Sequence, residues 1–395
     1  MLMVMLGFVI NPVMIQAATC TSNGIGGGVW SAPTTWTGCG GGVPGVGDDV
    51  IINNNDTVDV DIDPPDLNSL RLNTLATLID SAVTNFTTGD FRVGPSATFN
   101  FDNGGALNVM GTWTQAGGFT HTGTLTLSGA DKAITTPWFI RVGDLVIDAG
   151  VTITQDGTGT ITVNGAMTSN GTFTATNGTV RFDGAGGQLT GAGVNTFWNL
   201  AIGGTPTNVT FNTNVSVSND LAVAASGTFN GAGGTTLTMN GATWTQNGAF
   251  QHNGSVVING NTAISTGNWS TLVNNLTING ILTANGTGAG SLRVGGAWVN
   301  NGGFDPNGGQ VIFTGAAGTI GGTNPTTFFD LSINGTPTNV TANQSIVVND
   351  DFSIGASGAF IGTAGTVMTV NGATWTQNGA FTHNGTVVIN TALTL

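Results

Sequence analysis

The stretch Thr243–Gly254, TWTQNGAFQHNG, occurs three times in the chain. It reads TWTQAGGFTHTG from Thr112 and TWTQNGAFTHNG from Thr374. Trp113, Trp244 and Trp375 recur at one fixed 131-residue interval, as do Phe119, Phe250 and Phe381. His121, His252 and His383, all the histidines of the chain, keep the same interval. A second marker, FWNLAIGGTPTNVT from Phe197, returns as FFDLSINGTPTNVT from Phe328. Trp138, Leu145 and Ile147 are matched by Trp269, Leu276 and Ile278. Such an interval marks a chain built from stacked units rather than separate globular cores.

The 131-residue unit is itself divided. The marker position is held in turn by Trp113, Met167, Trp244, Trp298 and Trp375, so that a 54-residue step alternates with a 77-residue one. A phenylalanine follows at the sixth position after each: Phe119, Phe173, Phe250, Phe304 and Phe381. The long half carries a 23-residue excess over the short one, which is about one coil of a β-solenoid. Short apolar alternations such as Leu125–Ser128 and Leu237–Met239 read as strands. They are bounded by Asn and Gly, and the pair Asn-Gly occurs 18 times. Those residues suit corners that need left-handed backbone. The fold expected is all-β, a right-handed parallel β-helix with an N-terminal cap. Asn-Gly is also a hairpin signal, so tandem antiparallel β-sandwich repeats are the alternative. A solenoid gains a coil without losing phase, which a closed sandwich does not.

The expected organisation is a signal peptide over residues 1–17, a cap over 18–65, and a solenoid over 66–395. Its super-repeats run over about 66–196, 197–327 and an incomplete 328–395. Leu2–Ile10 is an apolar run of export type, too short for a comfortable membrane span and lacking a preceding Lys or Arg. Cys20 and Cys39 are the two cysteines, and in an exported chain they most simply form one disulfide. The chain stops inside its third super-repeat, so a fragment of a longer protein is expected.

Trp30-Ser31, Pro33, Trp36, Pro44, Gly47-Asp48, Val50-Ile51 and Val58–Asp61 carry a likeness. Together they resemble the segment that opens many bacterial secreted β-helical surface proteins, of adhesin and autotransporter-passenger type. The resemblance implies export, a β-helix and a capping role for this segment. It covers Trp30–Asp61 and, more loosely, the repeats.

Net charge is −14, with 20 aspartates, no glutamate and six basic residues. That balance argues against nucleic acid and anionic membranes as partners. Asp59, Asp61 and Asp63 alternate with apolar residues and are expected on one strand face, as a calcium candidate or simply a solvated face. The histidines, ~29 Å apart on a solenoid, do not make a metal set. Trp113, Trp244, Trp298 and Trp375, with Phe119, Phe173, Phe250, Phe304 and Phe381, read first as core. Exposed platforms for glycan stacking are the sharper reading. Thr-x-Thr pairs such as Thr152/Thr154 are read as irregular from coil to coil, favouring β-propensity over an ice-binding array. No recurring carboxylate pair, nucleophile motif or phosphate loop is present.

The function expected is a structural or adhesive extracellular repeat protein, a rigid surface stalk, and not an enzyme. A self-assembling filament subunit and a polysaccharide-binding or polysaccharide-cleaving β-helix are the alternatives. Expected partners are further copies of the chain or an extracellular polysaccharide.

Overall fold

Most strands are short and bury every second residue. Thr243–Gln246 and Thr160–Val163 both run half-buried, buried, half-buried, buried. Period-two alternation turns Trp244 and Gln246, or Ile161 and Val163, to the inside. A computed structural model describes residues 17–40, 42–135, 137–204, 207–266, 270–284, 290–335, 338–372 and 374–391. Within them, parallel strands stack as a β-solenoid of about 16 turns. The expected export signal falls almost wholly outside the described residues, as do Trp269 and residues 392–395.

The sandwich alternative fails on pairing direction. Antiparallel modules join neighbouring strands through tight hairpins. Here Thr243–Gln246 pairs in parallel with Asp220–Val223 below and Asn261–Thr266 above. Among the described residues one antiparallel pair occurs, Thr19–Ser22 with Trp36–Thr37.

Three strands make a regular coil, so the rod has three faces. Face I starts with Thr19–Ser22, Asp49–Ile52 and Leu67–Leu72. Face II starts with Gly27–Val29, Thr57–Val60 and Thr77–Asp80. Face III opens at Asn85, at the start of strand Asn85–Val93. Trp30 is fully buried and packs edge-on against Phe86 of this first face III strand, with ring centroids 6.0 Å apart. Trp36 crosses Trp30 at 4.9 Å and donates its indole N–H to the Trp30 carbonyl at 2.8 Å. A disulfide between Cys20 and Cys39 (Cα–Cα 4.8 Å) ties the first strand to the segment following Trp36–Thr37.

The sequence repeat does not close on a whole number of coils. On face II the paired residues above Phe119 are Ile140, Ile161, Val180, Leu200, Leu221 and Trp244. Six coils therefore carry the chain from Phe119 to Trp244, and Phe250 comes one strand later, on face III. From Phe250 the ladder climbs through Thr271, Leu292, Val311, Leu331 and Phe352 to Trp375. Coil by coil, the two climbs advance through the sequence by identical steps. The step is shortest from Ile161 to Val180 and from Leu292 to Val311. It is longest from Leu221 to Trp244 and from Phe352 to Trp375. The 131-residue unit is thus six coils plus one strand. Each copy starts a third of a turn further round the rod. Trp113 lies on face I, Trp244 on face II and Trp375 on face III. The 23-residue excess of the long half-repeat is one extra coil.

Glycine serves the corners mainly through its lack of a side chain. Gly104 does adopt left-handed backbone, with φ 82°. Gly241 and Gly372 do not, yet a methyl at either would collide with the carbonyl oxygen of the coil below, Asn219 or Asp350. In these Asn-Gly corners the requirement is close approach between coils rather than positive φ.

Candidate functional site

The recurrent aromatics lie inside the rod. Trp298 is fully buried, Trp244 is 1% exposed, and Trp113 and Trp375 are 5% and 6% exposed. Phe119, Phe173 and Phe250 are buried in the same cluster, with Phe304 and Phe381 partly buried against it. Each Trp of the long motif crosses the Phe that follows it, with centroids 4.9 Å apart for Trp113–Phe119, 4.4 Å for Trp244–Phe250 and 4.8 Å for Trp375–Phe381. The motif is thus a strand–corner–strand unit whose two rings meet across the interior. The four tryptophan rings and those of Phe119, Phe173 and Phe250 offer no face to a sugar. Trp113, Trp244 and Trp375 also bury indole N–H groups that have no protein partner.

The histidines follow the same logic. His121 and His252 are buried, at 1% and 2% exposure. His121 bonds through Nε2 to the Thr124 carbonyl at 3.2 Å, and His252 Nδ1 accepts the Gly254 N–H at 3.1 Å. Burial holds both imidazoles below their ordinary pKa, His252 at about 4, so both are neutral at physiological pH. Each closes its own corner, and the three rings lie on different faces.

Asp59, Asp61 and Asp63 do not share a strand face. The strand Thr57–Val60 ends before the second of them. Asp61 accepts from the backbone N–H (2.9 Å) and hydroxyl (2.5 Å) of Ser31. Asp63 accepts from the N–H and hydroxyl of Thr84, both at 2.6 Å, and from the Asn85 N–H at 3.1 Å. The Thr84 bonds hold the Asp63 carboxyl below the usual carboxylate range. Among the described residues no three His, Cys, Asp or Glu side chains gather as metal ligands.

Asp63 exemplifies a corner device that the sequence reading missed. An Asp or Asn at a corner accepts the N–H that opens a strand one coil later. Asp90 takes Thr112, Asp131 takes Thr152, Asp144 takes Ala166, Asn214 takes Thr236 and Asn275 takes Ala297, at 2.7–2.9 Å. Carboxamides also stack directly: Asn259 donates to Asn240, Asn279 to Asn259 and Asn301 to Asn279. Several aspartates that look scattered along the chain therefore sit at corners and serve the coil that follows. Their signal was a one-coil spacing between an Asp or Asn and the residue that opens a strand.

Residues 35–177 match the G8 domain.

The G8-like region thus spans less than half of the chain. It begins at the buried Thr35 and reaches past Phe173, taking in Cys39, Asp59, Asp61, Asp63, Trp113, His121 and Met167. The second and third copies of the repeat fall outside it, although they use the same motif. No curated protein and no solved structure matches the chain. Among the described residues no helix is long and apolar enough to cross a membrane.

Proposed function

We propose that the protein is a secreted structural rod, a rigid stalk that spaces or presents other elements outside the cell. One observation carries the reading. Every tryptophan and phenylalanine of the three-copy motif lies in or against the core, so the repeat specifies an axis rather than a ligand surface. The apolar N-terminal run and the disulfide support an extracellular setting. Catalysis and a resident cofactor play no part in this reading. The test is electron microscopy of the chain from Ala18 over a range of concentrations. At the usual spacing between paired strands, the turns of the solenoid give separate rods ~80 Å long. Compact particles would sink the proposal. Filaments lengthening with concentration would replace the stalk with an assembly subunit.

A further inference from the structure

The repeat supplies its own control for function. The first two copies share motif, coil lengths and core. A surface position where they differ is not explained by packing, and one cluster of such differences stands out.

On face II the outward residues Arg141, Thr162, Arg181 and Ala201 follow one another on successive coils. They line an open groove of about 460 Å³ together with Phe139 and Asp183. The Phe139 side chain is 69% exposed and its neighbour Trp138 44% exposed. Among the described residues these are the exposed aromatics of the chain. Arg181 is paired with Asp183 at 3.0 Å. At the corresponding positions of the second copy, Phe139, Arg141, Arg181 and Asp183 become Ser270, Leu272, Ile312 and Thr314, while Thr162 becomes Arg293. The aromatic, the outer arginine pair and the carboxylate are lost together.

We propose that this groove binds a neutral polysaccharide chain lying along the rod axis. The Phe139 ring gives an apolar face on which a sugar ring can stack. Arg181 and Asp183 present planar donors and acceptors suited to vicinal hydroxyls. The Thr162 hydroxyl lies between the two arginines. Arg141 and Arg181 are two coils apart, ~10 Å, close to the advance of two sugar units in an extended chain. The groove is long and open, which fits a polymer rather than a small molecule held on all sides. Asp183 offsets Arg181, and a chain of net charge −14 repels polyanions, so a neutral glycan fits better than an acidic one. This goes beyond the stalk reading and does not depend on it.

The test is affinity electrophoresis of the full chain in gels holding a mixed-linkage β-glucan, a xyloglucan or a galactomannan, with polygalacturonate as the acidic comparison. The main variant gives the first copy the second copy's residues: Phe139→Ser, Arg141→Leu, Arg181→Ile and Asp183→Thr. A milder variant carries Arg141→Gln and Arg181→Gln and guards against misfolding, with circular dichroism checking both. We expect retardation by at least one neutral polymer and at least tenfold weaker binding in both variants. Retardation by polygalacturonate alone, by none of the four, or equally in the wild type and the folded variants would overturn the proposal.

Discussion

Phe119 and Trp244 stand in one column of face II, joined through Ile140, Ile161, Val180, Leu200 and Leu221. They occupy different positions of the motif, yet share a face six coils apart. Phe250 and Trp375 repeat the relationship on face III. The motif fits any face because all three use short strands with inward residues at alternate positions. A third of a turn therefore costs the core nothing.

Whole coils are consequently the units that can be removed. Leu200 and Leu221 are partners one coil apart, so deleting residues 199–219 leaves Asp220–Val223 in the place of Asn199–Ile202. That variant should fold into a rod about 5 Å shorter, measured by microscopy or small-angle scattering. Deleting 199–210 removes half a coil and should abolish cooperative folding.

Trp244→Ala empties a ring-sized volume beside Phe250 and should cost ~3–5 kcal/mol. In a solenoid the damage stays local. Amide exchange should rise in the coils from Leu221 to Ile264 and remain unchanged near Leu78. Trp244→Phe should cost much less than Ala, because it fills part of the space and removes an indole N–H that has no partner. Equal losses for the two variants would show that ring packing is not what Trp244 contributes.

Gly231 lies directly under the His252 ring, and Gly362 under that of His383. A Cβ at either glycine collides with the imidazole above it. Gly231→Ala should destabilise by ~1–3 kcal/mol, since the buried His252 cannot move aside. Gly362→Ala should cost less, because His383 is half-exposed in the last described coil. Pairing Gly231→Ala with His252→Ala should recover part of the loss, read from thermal unfolding.

The buried His252 sets a pH dependence with a definite sign. Its folded pKa is about 4, below the ordinary value of 6.5, so the unfolded chain binds the extra proton first as pH falls. Its contribution is complete above about pH 6.5, declines between there and about pH 4, and is flat below. His252→Gln should flatten the unfolding midpoint over that window. Its ring protons should show no titration near pH 6 by NMR, and a midpoint at the ordinary histidine value would refute the assigned burial.

Asp90 holds the Thr112 N–H at 2.7 Å and the Thr112 hydroxyl at 2.8 Å, and these bonds lower its pKa. The bonded carboxyl gives up its proton more readily in the folded chain than in the unfolded one. The clamp is therefore fully present above about pH 4 and is lost as the pH falls further through the lowered folded pKa. Asp90→Ala should cost ~1 kcal/mol, while Asp90→Asn keeps an acceptor and should cost less. Thermal unfolding at neutral pH distinguishes them.

By itself the sequence determined the period, the solenoid and the extra coil. Inward residues must recur whenever a strand recurs, so Trp113, Trp244 and Trp375 announce themselves at a fixed interval. It did not determine where on the circumference each copy begins. That depends on three strands per coil and on coil lengths that vary from one coil to the next, which corner geometry sets. For the same reason Asp61 and Asp63, neighbours in the chain, are drawn to different corner partners, Ser31 and Thr84. Arg141 and Arg181, far apart in the chain, come to line one groove. Chain neighbours diverge at a corner and distant residues meet across coils, so only the tertiary structure decided which outward side chains act together.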